Sequence, residues 1–297
     1  DKLNGSSFWQ SSSWAGTATA GIEDFLVEEG GRLGEVYGYK TDGFYTADDF
    51  TFDAEKGTYA LKAGVNDCSS LIGGKVYPGS IKLKANEDGE YKKERLGNTV
   101  PTVSGGFGLN ARWKGFDFTA FFNYSLGNKI VNATKLGSSF YSGSSKNWNI
   151  NDHFTSSNRY SWIDPSTGTN LLSSASIKAN GEAWTINRLN EVNTGSSIWN
   201  PAAATVMPLV DWAVEDGSFL RVNNITIGYT LPKLLVNKLN IQNIRIYVTG
   251  YNLHCFTKYS GTDPEVDCCT STPMTPGIDY AAYPKSRSFV GGINVTF

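Results

Sequence analysis

The sequence predicts an all-β fold in which antiparallel strands form a segment of a transmembrane β-barrel with long extracellular loops. Three observations support this prediction. Apolar and polar residues alternate in several segments of about ten residues, the polar positions are mostly uncharged, and short connections alternate with long ones. The chain has 297 residues with 32 glycines, and aromatic residues make up 13% of it. This composition favours strands and long loops over helices.

The clearest strands form a predicted hairpin. From Val103 to Trp113 the apolar residues occupy odd positions, and from Phe116 to Leu126 they occupy even positions. Lys114-Gly115 lies between the two segments as a tight turn. The pattern therefore predicts two antiparallel strands with one apolar face and one polar face.

Three further segments alternate in the same way, at residues 224–231, 244–253 and 288–297. Leu220 and Val222 are out of phase with the first of them, which predicts a one-residue bulge near Asn223-Asn224. The stretch from Pro232 to Leu239 is short, basic and leucine-rich, and it predicts one or two helical turns before the next strand.

Alternation alone fits a soluble β-sandwich as well as a barrel. Two features favour the barrel. The connections at 113–116 and 232–243 are short, whereas those at 127–217 and 254–286 are long, as in outer-membrane barrels with short periplasmic turns. Aromatic residues also lie at strand ends, where barrels carry interfacial girdles: Trp113, Phe116, Tyr229 and Phe297.

The net charge and the hydropathy exclude several classes of protein. The net charge is −2, so there is no basic footprint for nucleic acid. No run of apolar residues is long enough for a membrane helix. Asp1-Lys2-Leu3-Asn4 contains neither an initiator Met nor a signal peptide, so we expect the chain to begin inside a longer coding sequence.

The predicted organisation has four parts. Residues 1–98 hold one or more barrel strands and an acidic extracellular region, and 99–131 form the transmembrane hairpin. Residues 132–217 form a long extracellular loop, and 218–297 hold the last barrel strands with an extracellular loop at 254–286. The loop at 132–217 is rich in tryptophan, and its rings are candidates for contact with substrate or partner, or for packing within the loop: Trp148, Trp162, Trp184, Trp199 and Trp212.

Catalytic or metal-binding constellations are not evident. His153 and His254 fall in predicted loops without a ligand motif. Two pairs of carboxylates, Asp263/Glu265 and Glu215/Asp216, fit glycoside hydrolysis or, more simply, hydrogen bonds that order loops. We therefore expect neither an enzyme nor a bound metal or cofactor.

The four cysteines all fall in predicted extracellular regions: Cys68, Cys255, Cys268 and Cys269. Their spacing does not fit a zinc site, and an oxidising compartment favours disulfides. Because Cys255 and Cys268 lie in one predicted loop, we expect Cys255 to bond to Cys268 or Cys269, with Cys68 bonded to the other.

Several segments resemble the SusC/RagA family of TonB-dependent outer-membrane transporters. The resemblance is carried by "EDGSFLRVNNITIGYTLPK" (215–233), "IRIYVTGYNLHCFTKYSGTDPEV" (244–266) and "YPKSRSFVGGINVTF" (283–297). The hairpin at 96–132 and the block "GEVYGYKTDGFYT" (34–46) are similar to further family segments. The resemblance implies the carboxy-terminal part of a 22-stranded barrel, whose plug and first strands belong to another chain or to a missing portion.

The resemblance also implies a function and a location. It implies import of oligosaccharides or oligopeptides across the outer membrane of a Gram-negative bacterium, with TonB acting through the plug and a SusD-like lipoprotein closing over the barrel. Lipid would contact one face of the strands, and the other face would point into the lumen with Asp117, Asn123, Arg245, Tyr247 and Tyr251. Phe297 would be the terminal aromatic residue of the closing strand, which the assembly machinery reads.

The sequence departs from the family pattern in one acidic stretch. Many members carry a calcium-loop-like segment before the hairpin, but here "LKANEDGEYKKERLGN" (83–98) lacks the leading acid, and lysines follow Asp88. A solvated turn is the simpler interpretation. The alternative functions are a secreted all-β module that binds carbohydrate or peptide, a β-rich hydrolase fragment, and a structural surface protein.

Overall fold

The computed structural model describes residues 5–12, 23–141, 149–236, 241–265, 267–268 and 273–297. Trp148 and Cys269, which the sequence analysis selected, lie outside these residues. The described strands, in chain order, are β1 Ser7–Ser11, β2 Glu23–Glu28, β3 Glu35–Gly38, β4 Thr41–Phe44, β5 Phe50–Asp53, β6 Thr58–Leu61, β7 Ile81–Leu83, β8 Glu94–Asn98, β9 Val103–Trp113, β10 Phe116–Leu126, β11 Lys129–Asn132, β12 Val214–Asp216, β13 Phe219–Thr230, β14 Asn243–Thr257, β15 Ile278–Asp279 and β16 Ser288–Thr296. The described α-helices are α1 Ser69–Ile72, α2 Ala133–Gly137, α3 Ser174–Val192 and α4 Lys233–Val236.

The chain folds into two compact units. The mixed unit contains Asp1–Leu96 and Asn132–Val214, and the sheet unit contains Gly97–Val131 and Glu215–Phe297. No helix among the described residues is both long and apolar enough to cross a bilayer.

The sheet unit is built on five antiparallel strands in the order β16-β14-β13-β10-β9. The hairpin is confirmed, because Trp113 pairs with Phe116 across the Lys114-Gly115 turn. Both turn residues have positive φ, 45° at Lys114 and 88° at Gly115, as a two-residue hairpin turn requires. The bulge is confirmed too, since the pairing of β13 with β14 shifts between Val222 and Asn224.

Strand β14 is longer than predicted. It continues to Thr257, whereas the sequence predicted a strand to Leu253 and a loop from His254 onward. Asn252 adopts a positive φ of 49°, which interrupts the alternation without ending the strand, and pairing with β13 resumes at His254. His254 and Cys255 therefore lie in a strand, and their prediction as loop residues was wrong.

The mixed unit combines short sheets with helices. Strands β1, β2, β3 and β8 form its four-stranded sheet, β4 pairs with β7, and β5 pairs with β6. Helix α3 packs on β5, where the Glu182 carboxylate accepts a hydrogen bond from the Phe52 backbone N–H at 2.9 Å. The 132–217 region was predicted as a loop, yet it contributes this helix and packs with the first part of the chain.

Helix α3 lacked a clear sequence signal. Its buried residues are Ser176, Ile177, Thr185 and Leu189, which do not make a regular apolar stripe. Gly181, with φ 79° and ψ 176°, breaks the helix into two parts. The break explains why periodicity did not reveal the helix.

An ion pair holds α3 to the segment before it. The guanidinium of Arg188 donates to both carboxylate oxygens of Asp164, with Nε–Oδ2 at 2.7 Å and Nη2–Oδ1 at 2.8 Å. Asp164 also accepts from the backbone and hydroxyl of Ser166 at 2.9 and 2.6 Å. These donors hold the pKa of the Asp164 carboxyl well below its usual range.

Cys68 is a buried free thiol, and the predicted disulfide to Cys68 is not formed. The thiol donates to the Ile81 carbonyl and accepts from the Tyr45 hydroxyl, both at 3.5 Å. Cys255 is also a free thiol, within β14. The predicted pairing was therefore wrong, because burial of one thiol and strand pairing around the other had no signal in cysteine spacing.

Burial raises the pKa of the Cys68 thiol, so little thiolate forms near neutral pH. We expect Cys68 to resist iodoacetamide in the folded protein at pH 8 and to react fully in denaturant. Peptide mass spectrometry after non-reducing digestion measures both states. Detection of Cys68 in a disulfide in native material would contradict the buried free thiol.

Candidate functional site: the two faces of the five-stranded sheet

Pairing register assigns every side chain of the sheet to one of two faces. Residues directly opposite on neighbouring strands point the same way, so each row across the strands lies on one face. Rows of the apolar face are Trp113–Phe116–Tyr229–Ile246–Ile293, Ala111–Phe118–Ile227–Val248–Gly291 and Leu109–Ala120–Ile225–Gly250–Phe289. The bulge keeps Leu220 and Val222 on this same face, opposite Tyr124 and Phe122.

The apolar face is largely uncovered in the sheet unit. Leu109 is 53% exposed, Ile293 is 65% exposed and Phe289 is 69% exposed. A soluble protein rarely leaves such a continuous apolar surface open. Near the short turn the ring of Phe116 lies 4.5 Å from that of Tyr229, next to the exposed Trp113, which forms an aromatic edge to the face.

The polar face carries an ion pair near the short turn. The guanidinium of Arg245 donates to both oxygens of the Asp117 carboxylate, with Nε–Oδ1 at 2.8 Å and Nη2–Oδ2 at 2.6 Å. Gly228, on the strand between β10 and β14, lies opposite Asp117, and a Cβ atom there would come within 2.5 Å of both side chains. Glycine at 228 therefore leaves the space that the ion pair occupies.

A second glycine accommodates an aromatic ring. Gly292 lies opposite Tyr247, and a Cβ atom on it would come within 2.5 Å of the Tyr247 ring. The Arg245 guanidinium lies 4.9 Å from the same ring. Tyr247 thus rests across the neighbouring strand and against a cation, which fixes its orientation on the polar face.

A buried charge cluster lies at the other end of the polar face. Arg221 of β13 contacts the carboxylates of Asp263 and Glu265, and the Lys285 Nζ lies 2.9 Å from Glu265. Arg221 is 4% exposed and Asp263 is 3% exposed. The Asn123 amide also donates to Glu265 at 3.1 Å. Two cations balance two carboxylates, so the cluster joins the 258–286 loop to β13 and β10.

Further hydrogen bonds order the same loop. The Tyr259 hydroxyl donates to Asp279 at 2.6 Å, and the Glu215 carboxylate accepts from the Ser260 backbone and hydroxyl at 2.8 and 2.7 Å. Burial, followed by the bond to Asp279, raises the pKa of the Tyr259 phenol. Asp216 accepts from the Ser218 backbone at 3.0 Å. Both carboxylate pairs found in the sequence therefore serve to order loops.

The residues predicted to face the lumen share the polar face. They are Asp117, Asn123, Arg245, Tyr247 and Tyr251. Sequence reasoning missed Arg221, because its partner Asp263 lies 42 residues further along the chain. An arginine among apolar residues, followed by carboxylates in a later loop, was the available signal.

The described tryptophans differ in their surroundings. Trp199 is 4% exposed, with its ring 5.0 Å from that of Trp212 and its Nε1 donating to the Ser139 carbonyl at 3.1 Å. Trp162 donates to the Pro78 carbonyl at 2.6 Å. These three rings pack within the mixed unit. Trp184, on α3, is 43% exposed, so among the described tryptophans of the 132–217 region its ring is the most open to a ligand or partner.

The remaining candidates have structural roles. The Asn86 side chain accepts from the backbones of Asp88 and Glu90 at 3.1 and 2.7 Å, which makes a solvated turn. The His153 backbone N–H donates to the Asn151 side-chain oxygen at 2.9 Å, and His254 packs against Phe256 at 4.4 Å between ring centroids. No group of three or more His, Cys, Asp or Glu side chains among the described residues is arranged to hold a metal ion.

Comparisons with known proteins agree with this geometry. No family model matches the chain. TonB-dependent receptor P3 of Formosa agariphila is 29% identical over 277 residues, covering 92% of this chain and 23% of that receptor. TonB-dependent receptor SusC of Bacteroides thetaiotaomicron is 34% identical over 89 residues, covering 29% of this chain and 8% of SusC.

A solved structure is similar as well. The structure of the RagAB peptide transporter matches with a TM-score of 0.50 and 21% identity, over 92% of this chain and 24% of that chain. At this identity the match establishes the fold. The chain spans about a quarter of the length of the curated relatives that it matches over most of its own length.

The fold and the two-faced sheet define a segment of a transmembrane β-barrel of the outer membrane, in the class of TonB-dependent receptors. The similarity to SusC agrees with the resemblance to the SusC/RagA family that the sequence motifs carry.

The charge cluster generates a prediction. Replacing Arg221 by Met leaves Asp263 buried without its cation, and removal of one partner of a buried pair costs about 3–5 kcal/mol. We expect the 258–286 loop to detach from the sheet and to be cleaved much faster by a protease added to intact cells, while the strands stay protected.

Lys285→Met is the matched control. Its side chain is 48% exposed and pairs with the same Glu265, and an exposed pair contributes only about 0–1 kcal/mol. The protease should therefore cleave this variant at a rate close to that of the unaltered protein. Equal cleavage rates for the two variants would show that Arg221 does not hold the loop.

Proposed function

We propose that the chain forms part of the wall of an outer-membrane importer of oligosaccharides or oligopeptides. The observation that carries the proposal is the five-stranded sheet with an exposed apolar face and a polar face bearing ion pairs. Lipid would cover the first face, and the second would line a lumen. The relatives are receptors or transporters by name, so we assign no catalytic reaction to the chain.

We assign the rest of the importer to residues outside this sequence. Among the described residues, β9 and β16 form the edges of the sheet, and each edge would expose unpaired backbone groups to hydrocarbon unless another strand paired with it. We propose that further strands complete a 22-stranded barrel around a plug and that TonB supplies energy through the plug. In this arrangement the chain is the carboxy-terminal part, and Phe297, 81% exposed, ends the closing strand.

The mixed unit then lies outside the cell and contacts a lipoprotein lid of the SusD type. Helix α3 supports this assignment, because it carries the exposed Trp184 on a folded scaffold. An aromatic ring held on a rigid element is suited to a partner interface or to stacking on a sugar. Substrate or lid contact by Trp184 is therefore part of the proposal, whereas Trp199 and Trp212 support the fold.

Two single substitutions at adjacent residues test both the membrane placement of the sheet and the import function. Phe118→Lys puts a charge on the apolar face, where it costs about 2–4 kcal/mol near the bilayer midplane. Thr119→Lys puts the same charge on the next residue, on the polar face. We expect the first variant to lower the amount of assembled protein in the outer membrane and the second to leave it unchanged.

Import is measured in the native bacterium. A strain lacking the complete gene should lose TonB-dependent growth on at least one oligosaccharide or oligopeptide mixture, and the unaltered gene and Thr119→Lys should restore it. Phe118→Lys should restore it poorly, in proportion to its lower abundance. If the Phe118→Lys variant assembled fully and the Thr119→Lys variant did not, the assignment of the two faces would be reversed. Unchanged growth of the deletion strain on every mixture would contradict import.

A further inference from the structure

A groove opens on the apolar face of the sheet unit, at the end away from the Lys114-Gly115 turn. It is a cavity of about 530 Å³. Its floor and walls are apolar side chains from four neighbouring strands: Phe107, Tyr124, Leu126, Leu220 and Phe256. Its outer rim is polar, with Asp216, Ser218 and Lys258. The groove is distinct from the charge cluster on the polar face.

Irregularities in the strands explain the groove. The bulge at Asn223 and the positive φ of Asn252 lie at the same level of β13 and β14, and bulges bend the strands that contain them. Gly105 adds room, because its missing side chain lets the Tyr124 hydroxyl lie over β9, 2.9 Å from where a Cβ atom would be. The face is therefore concave here.

The height of the groove places it at the outer edge of the lipid. Tyr124 lies eight residues along β10 from Phe116, so at about 3.3 Å per residue and a tilt of about 40° it lies roughly 20 Å from the turn end along the membrane normal. The apolar band of such barrels is about 25 Å tall. Lys258, two residues beyond Phe256, then reaches the headgroup level.

The rim offers one cation to an anionic group. Lys258 is exposed and forms no salt bridge with a residue that the structure describes, although its charge interacts with the Asp216 carboxylate. Asp216 is the opposing charge, and its carboxylate is engaged by the backbone N–H of Ser218 at 3.0 Å. An apolar groove below a lysine matches an amphiphile with a hydrocarbon tail and a negative headgroup.

We propose that this groove binds one acyl chain of lipid A, the phosphorylated glycolipid of the outer leaflet, with a lipid A phosphate on Lys258. The occupant follows from the level of the groove in the outer leaflet, its apolar lining and the charge at its rim. The inference rests on the proposed membrane orientation, in which the long loops lie outside the cell. Bound lipid would fill the concavity that the bulges create.

Native mass spectrometry of the complete transporter, purified in mild detergent and titrated with lipid A, tests the site. The unaltered protein should retain one lipid A. Lys258→Gln should weaken retention about fivefold, the factor expected for one charge at an anionic surface. Leu220→Trp should abolish retention by filling the groove, and its normal mobility on an unheated gel would show that the barrel still assembles.

Lys114→Gln is the matched control, since Lys114 is an exposed lysine on the turn at the opposite end of the sheet. It should retain lipid A as the unaltered protein does. Equal retention by Lys258→Gln, equal retention of uncharged or zwitterionic lipid, or occupancy by a detergent tail only would overturn the lipid A site. A transporter that stays monodisperse without detergent would instead overturn the proposed function.

Discussion

The structure depends on one constraint, that a strand in hydrocarbon must pair its backbone sideways and show only apolar side chains to lipid. Five strands meet it together, because the register aligns their apolar positions into common rows. Every charge on these strands is thereby confined to the other face. Opposite charges on that face lie close enough to form ion pairs, as Asp117 does with Arg245.

Glycine and the bulge make that confinement sterically feasible. Gly228 leaves space for the ion pair, and the bulge at Asn223 restores Leu220 and Val222 to the apolar face while turning Arg221 to the polar one. Arg221 then anchors the 258–286 loop through Asp263 and Glu265. The same local irregularity therefore shapes the apolar groove on one face and attaches Asp263 and Glu265 to the other.

Sequence reasoning predicted the features that follow from the alternation of apolar and polar residues along a strand. The hairpin, its turn and the bulge followed from alternation, and the five residues assigned to the lumen proved to share one face. It failed where contacts between distant parts of the chain determine the structure. The burial of Cys68 beside Tyr45 and the packing of α3 on β5 join residues far apart in the chain, and Gly181 hides the helical pattern of α3. The role of Arg221 was also missed, since its partner Asp263 lies 42 residues further along the chain.

The central claim is that the apolar face contacts lipid, and collision accessibility of nitroxide labels measures it most directly. Labels at Leu109 and Asn110, neighbours on opposite faces of β9, would be compared in outer-membrane vesicles after the native cysteines are replaced by alanine. The label at 109 should collide mainly with oxygen, which concentrates in lipid, and the label at 110 mainly with a water-soluble nickel chelate. Equal access of the chelate to both labels would contradict the account.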